Sequence, residues 1–452
     1  MIQPMTLTMA AQTFGGTLMY PDCEFSAVST DSRQIHEGEV FVALRGERFD
    51  AHNFLPDVAT RASGMVVEYA DRDINLPQWV VPDTTVALGQ LALLNRRRFH
   101  GPVVAITGSS GKTTVKEMVA AILGECGSVL ATKGNLNNQI GVPLTLLSLT
   151  AKHRFAVIEM GASGPSEISY LCSLAKPDVV LVNNVLPAHV SGFGSLEGIA
   201  SAKGEIYSGV CSEGTAVINL DESWAPQWRA ATLARVVSYS LVSESADFYA
   251  KAMVPDPQGC FSFVLVTPVG EAAVQLAVSG RHNVANALAA AACAHAAGAD
   301  LGAVAAGLNK VRAVPGRLHR QMLATGGTLI DDTYNANPGS VKAAVDTLMT
   351  ISGKQILVLG DMGELGDDEA ALHGEVGRYA ADKGVGHLLA VGPLSINTVR
   401  EFGEGAEHLD SKEQLLERLK SLLDKDAVVL VKGSRFMAMD AVVKMITELG
   451  ER

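Results

Sequence analysis

The residues with chemical reach are concentrated in one octapeptide. Thr107-Gly108-Ser109-Ser110-Gly111-Lys112-Thr113-Thr114 joins two glycines, a lysine and several hydroxyls. Such a turn presents backbone N–H groups at a helix N-terminus, where the dipole favours an anion. Lys112 adds a charge for terminal phosphates, and the Thr113 hydroxyl is a ligand for Mg²⁺. The spacing departs from G-x-x-x-x-G-K-[ST], whose first glycine falls on Ile106. The loop is therefore a shorter variant beginning at Gly108, and a nucleoside triphosphate is its expected ligand. Glu159 ends the apolar run Phe155-Ala156-Val157-Ile158. Ligands bind outside the carboxyl ends of such strands, so Glu159 is a candidate for holding the Mg²⁺. His189 follows Val179–Val182 and Asn183-Asn184 in a loop with Gly192 and Gly194, a candidate for a second metal or a phosphate.

Other polar groups carry weaker signals. His282 and Asn286 lie four apart on one helix face with Asn283 beside them. Amides there suit adenine's edge, whereas N-capping by Asn283 accounts for only one of the three. Asn135, Asn137 and Asn138 form a loop whose amides face a ligand or simply make turns. Ser32 and Arg33 could hold a diphosphate or a uracil edge, but turn chemistry with an Asp31–Arg33 surface pair serves as well. Ser201 to Ile206 reads as a helix with one exposed lysine, and nothing local distinguishes Lys203.

The elements that must position these groups are legible in outline. Val103–Ile106 is an apolar, β-branched strand, and Val115, Met118, Val119, Ile122 and Leu123 mark one face of the following helix. Residues 1–100 mix short strands and small helices. Phe41–Leu44 is an expected buried strand and Arg45-Gly46-Glu47-Arg48 a turn or loop. Arg96-Arg97-Arg98 closes a helix over Val86–Phe99, where cations suit the C-terminal dipole. Gly101-Pro102 and Val314-Pro315-Gly316-Arg317 punctuate the chain, giving expected domains at 1–100, 101–314 and 315–452. Residues 215–280 are β-rich, and an alanine-rich helix follows. In the last third, strands at 327–332, 356–359 and 428–431 alternate with helices, one spanning Gly339–Thr350, and end in polar clusters. That is a parallel α/β domain of Rossmann-like build. No G-x-G-x-x-G follows its first strand, so no dinucleotide cofactor is expected. The fold class is α/β: a small first domain, a central P-loop-type parallel sheet with extra β strands, and the Rossmann-like C-terminal domain.

Composition narrows the function classes. The net charge of −12 opposes bulk binding to nucleic acid or anionic membranes. Six scattered cysteines without a C-x-x-C pair read as reduced thiols in a cytoplasmic protein. The N-terminus lacks a signal-peptide pattern, and Val284 to Ala299, mostly alanine, reads as a packed helix and not a membrane span. No Ser-His-Asp or Cys-His nucleophile arrangement stands out.

With these residues assembled, the chain resembles the Mur ligases of peptidoglycan synthesis over all three segments. TGSSGKTT is that family's own short phosphate loop, and GRHNVANA, PGR, DDTYNANP, GDMGELG and KGSR follow in the family's order. FVALRGERFDAHNF and TKGNLNNQIGVP point to the branch that adds D-alanyl-D-alanine to UDP-N-acetylmuramoyl-tripeptide; the DNPR motif of diaminopimelate-adding relatives is absent. One departure is Ser163-Gly164-Pro165-Ser166, where many members carry Asn-His-x-Gly. The resemblance implies a uridine-nucleotide-binding first domain, with Ser32, Arg33 and the loop from Arg45 through Gly46 and Glu47 to Phe49 at the uridine diphosphate end. It implies ATP on Gly108–Thr114, with His282, Asn283 and Asn286 at the adenine side. Arg317 would meet phosphate and Asp332 ribose once the domains close. Thr113 and Glu159 would hold one of two Mg²⁺ ions, and His189 would help hold a second. Lys203 matches the lysine that is carbamylated in related ligases. Asn135, Asn137, Asn138, Tyr334, Asn335 and Asn337 would face the substrate peptide. A monomer using an acyl-phosphate route is expected. The alternatives are another amide ligase of the superfamily, such as a folylpolyglutamate synthase-like enzyme, or a P-loop ATPase without ligase chemistry.

Overall fold

The computed structural model describes residues 1–47, 49–187 and 190–448, without the side chains of 190 and 191. Its centre is a nine-stranded sheet. The strands run Val129–Ala131, Phe155–Glu159, Val103–Thr107, Val179–Val182, Thr215–Asn219, Arg235–Ser240, Phe248–Pro255, Cys260–Thr267 and Gly270–Ser279. The first seven are parallel, and the last two are added through antiparallel pairings. Each residue of Val103–Thr107 is buried, as expected for a strand covered on both faces. Its alternate side chains feed two cores: Val103 and Ala105 face one, Val104 and Ile106 the other. Burying each large aliphatic side chain contributes roughly 1.5–3 kcal/mol, so the strand is firmly held. Register pairs Ile106 with Glu159 and Thr107 with Val182. The phosphate loop, Glu159 and Asn183 therefore emerge at one sheet edge despite their sequence separation.

Two helices pack behind that edge, Lys112–Gly124 and Arg281–Ala296. The second is buried through Ala287–Ala294, as its alanine-rich composition requires. Gly307 of the helix Leu301–Lys310 lies so near the first that an added Cβ would sit 2.4 Å from Ile122 Cα. No helix among the described residues is long and apolar enough to cross a membrane.

The N-terminal segment carries a five-stranded sheet, Thr17–Met19, Gln78–Val80, Gly64–Val67, Glu39–Val42 and Ala27–Ser29, with only the first antiparallel. The expected strand at 41–44 is shifted to 39–42. The expected loop after it is a short hairpin, Arg45–Gly46 against Phe49–Asp50. The expected 86–99 helix spans Thr84–Arg96, because Asp83 accepts from the N–H groups of Thr85 and Val86 and caps it earlier. Arg96 does not sit on a solvated helix end. It is 8% exposed, and its guanidinium donates to the carbonyls of Phe99, Ala175 and Lys176. It thus ties this helix to the carbonyl end of another, Glu167–Ala175.

The C-terminal segment has a six-stranded sheet in the order His319–Met322, Thr328–Asp332, Ala427–Lys432, Lys354–Gly360, His387–Val391, Ala406–Leu409, parallel except for the first. Apolar cores lie on both faces. Its helix Pro338–Met349 begins where Asn337 and Ser340 form a reciprocal cap.

Candidate active site

The phosphate loop is shaped by positive-φ glycines. Gly111 caps the helix Lys112–Gly124 at φ 75°, and a Cβ there would meet Asn183 Nδ2 at 2.6 Å. Only glycine fits. Asn184 holds the loop from below: its carbonyl accepts from Ser109 N–H and its side-chain oxygen from Ser110 N–H. Lys112 donates to Gly108 O at 2.7 Å, and burial pushes its ammonium down from the usual lysine range while Glu159 opposes that shift.

Thr113 Oγ1 donates to Glu159 Oε2 at 2.7 Å. Asn137 Nδ2 donates to the other carboxylate oxygen at 2.8 Å, and Thr132 Oγ1 accepts from Glu159 N–H. A hydroxyl and a carboxylate side by side are hard oxygen donors that suit Mg²⁺. The described residues contain no group of three or more His, Cys, Asp and Glu poised for a metal. That sparse set fits an ion that keeps water and phosphate oxygens as its remaining ligands. His189 lies outside the described residues.

Lys203 is not the exposed lysine its helix pattern suggested. In the helix Leu196–Ser208 it shares the inward face with Ile199, Ala200 and Ile206 and is 2% exposed. Its ammonium lies 5.6 Å from the Phe193 ring centroid. Desolvation first, and then the charge of Lys112, lower its pKa to about 7, against the pull of Glu167.

The C-terminal segment reaches into this edge. Arg317 Nη2 donates to Thr113 Oγ1 at 2.8 Å while its guanidinium lies over Tyr334, 3.9 Å from the ring centroid. Asp332 accepts from Lys432 Nζ at 2.5 Å and from Leu318 N–H. His282 sits nearby, its pKa lowered to about 4 by burial and then by Lys432. Together with Lys112, Glu159, Lys203 and Asn286 these residues line one cavity of about 620 Å³.

Several amides are already engaged. Asn283 does not cap its helix, whose N-cap is Gly280; its Nδ2 donates to Ser279 O. Asn286 donates to Asn283 Oδ1 and accepts from Asn183 Nδ2, forming a chain under the phosphate loop. Asn138 Oδ1 accepts from Gly141 N–H, and Asn337 Oδ1 from Ser340 N–H. Asn335 Oδ1 accepts from Ala336 N–H, and Asn135 is exposed at the rim.

The N-terminal candidates stand apart from the cavity. Arg33, 85% exposed, pairs with Asp31, the surface ion pair that turn chemistry alone predicts. Arg45 lies 3.8 Å from Asp50 and 3.7 Å from Glu68, Gly46 pairs with Phe49, and Glu47 is exposed. The Ser32 carbonyl accepts from Arg61. Beside them, Phe49 of the same loop is exposed and stacks on Phe54, while the exposed ring of Tyr69, to which the sequence assigned nothing, stacks on the buried His52. Sequence reasoning also passed over Lys432, Asn183 and Asn184. Their position directly at strand C-terminal ends was the available signal.

Comparison with known proteins accords with this geometry. The family model described as the Mur ligase middle domain matches residues 106–294, and that described as the Mur ligase, glutamate ligase domain matches 316–435. The UDP-N-acetylmuramoyl-tripeptide–D-alanyl-D-alanine ligase of Escherichia coli K12 is 46% identical over 449 residues, covering 99% of each chain. A crystal structure of MurF from Acinetobacter baumannii superposes with a TM-score of 0.94 at 37% identity, over 99% of each chain. MurF from Thermotoga maritima in complex with ADP gives 0.83 at 28% identity, over 94% of this chain and 98% of that one. Two family models matched in order, a shared fold and this identity along the whole length have one reading: the chain belongs to the Mur ligase family.

Proposed function

We propose that the protein is an ATP-dependent ligase that joins D-alanyl-D-alanine to UDP-N-acetylmuramoyl-tripeptide, giving the pentapeptide precursor of peptidoglycan. The observation that carries the reading is the Thr113–Glu159 pair bonded by Arg317 from another segment, in the cavity that also buries Lys203. The 46% identity to a ligase of that name supplies the substrates.

In this reading the tripeptide's terminal carboxylate attacks the γ-phosphorus of ATP. A carboxylate O–P bond forms, the bond to the β-phosphate oxygen breaks, and ADP leaves an acyl phosphate. Lys112 and Arg317 offset charge on the transferring phosphoryl group. Thr113 and Glu159 would hold Mg²⁺, which supplies further charge neutralisation when bound. The dipeptide amine then attacks the acyl carbon, loses a proton, and phosphate leaves with the C–O electron pair. An exposed acyl phosphate would hydrolyse, so contact between segments at Arg317 serves to exclude water.

Lys203 suits carbamylation. Its lowered pKa leaves much of the amine neutral near pH 7, and a neutral amine adds to CO₂ with release of a proton. The resulting anion would offset the Lys112 charge and serve, with His189, a second Mg²⁺. Residues 1–100 act as the uridine-nucleotide-binding domain, with Phe49 as a stacking surface and Arg33 and Arg45 as cations for the diphosphate. Residues 101–314 bind ATP, and 315–452 close over it. The protein works as a cytoplasmic monomer.

The test is incubation with ATP, Mg²⁺ and UDP-N-acetylmuramoyl-tripeptide, with and without D-alanyl-D-alanine. A product of pentapeptide mass that requires both substrates is expected. ATP hydrolysis without product, by folded protein, overturns the reading.

A further inference from the structure

The KGSR segment has no role in the reading above, yet its lysine is among the most enclosed charges in the cavity. Lys432 ends the strand Ala427–Lys432 and is 3% exposed. Its register partner across the sheet is Asp332, the last residue of Thr328–Asp332. The two side chains meet there, Nζ to Oδ2 at 2.5 Å, and the same ammonium donates to Asn335 O at 2.9 Å. One cation therefore fixes both the carboxylate and the turn that follows it. The remaining neighbours do less: Leu318 N–H reaches Oδ1 at 3.2 Å, and Arg317 is engaged with Thr113.

We propose that Lys432 is a positioning residue that fixes Asp332 as the acceptor for the ribose hydroxyls of the nucleotide. This rests on the reading of Asp332 as the ribose contact. A carboxylate accepts from two vicinal hydroxyls only while it is ionised and held in place. Burial pushes the Asp332 carboxyl up, and Lys432 is the strongest influence opposing it. Without the ammonium, burial would favour the protonated carboxyl, in which one of the two oxygens donates and only the other is left as a full acceptor. The lysine would thus confer selectivity for a ribose without touching it.

The experiment is calorimetric binding of ADP and of 2′,3′-dideoxy-ADP to the full-length protein. Wild type should prefer ADP by about tenfold or more, the value of one hydrogen bond to a charged group. Lys432→Met should erase that preference while leaving dideoxy-ADP affinity within about twofold, and Lys432→Arg should restore much of it. Lys432→Gln keeps a donor for Asn335 O and removes only the charge, so it gives the same readout if the methionine variant does not fold. Asp332→Asn separates the two claims. If it retains the preference, Asp332 does not read the ribose and both claims fall. If it loses the preference while the Lys432 variants keep it, the role of Lys432 alone is overturned.

Discussion

Gly161→Ala adds one methyl group to the cavity wall and tests how Glu159, the proposed metal carboxylate, is held. Gly161 has no positive φ, so alanine fits its backbone. The difficulty is the neighbour. A Cβ at 161 would lie 3.0 Å from Asn137 Oδ1, 3.1 Å from Cγ and 3.2 Å from Nδ2. The whole amide must retreat by a few tenths of an ångström, yet Asn137 O also accepts from Gly161 N–H, which keeps its backbone close. The bond that yields is Asn137 Nδ2 to Glu159 Oε1. A hydrogen bond to a charged group contributes about 1.5–3 kcal/mol. If that full amount is lost at Glu159 in its proposed role as Mg²⁺ ligand, kcat falls roughly ten- to a hundredfold at limiting Mg²⁺. The fold should survive, since only a cavity-facing amide moves. The assay is ligase turnover against Mg²⁺ concentration, paired with ADP binding with and without Mg²⁺. Binding without Mg²⁺ should be unchanged, and Asn137→Ala should reproduce the defect. A folded Gly161→Ala protein with wild-type Mg²⁺ dependence would refute the argument.

Three further outcomes follow from the same geometry. Arg317→Ala removes the cation that spans Thr113 and Tyr334 and should lower kcat by about a hundredfold or more, with a smaller change in ADP affinity; retained kcat would remove Arg317 from the phosphoryl-transfer step. Lys203 has a folded pKa of about 7 against a reference of 10.5, so the unfolded chain binds more protons between those values and stability rises with pH across that window. Lys203→Met should flatten this rise in urea unfolding without CO₂, and an unchanged slope would contradict the burial argument. Arg45→Ala with Phe49→Ala should raise KM for the uridine substrate while ADP affinity stays the same, and an unchanged KM would move the uridine site elsewhere.

The phosphate loop and the strand before it were legible because both signals are local. Glycine, lysine and hydroxyl spacing announces the turn, and an unbroken apolar run announces a strand covered on both faces. Glu159 was legible for a related reason, since a carboxylate directly after such a run must emerge at the ligand-binding edge. Lys203 was not. A single lysine in a helix is exposed or buried according to what covers that face, and its cover comes from elements distant in sequence. Arg96 was misjudged the same way, because the carbonyls it meets belong to another helix. The asparagines show a subtler limit: their richness was plain, but whether an amide faces ligand, caps a helix or steadies a carboxylate depends on its partner. Sequence by itself determined the α/β class, the nucleotide loop and the family likeness, since these rest on short-range pattern. Only the tertiary structure decided which charges share one desolvated cavity. Arg317 against Thr113 and Lys432 against Asp332 are contacts between chain segments, Lys203 feels the charge of Lys112 from another, and solvent exclusion around them sets their chemistry.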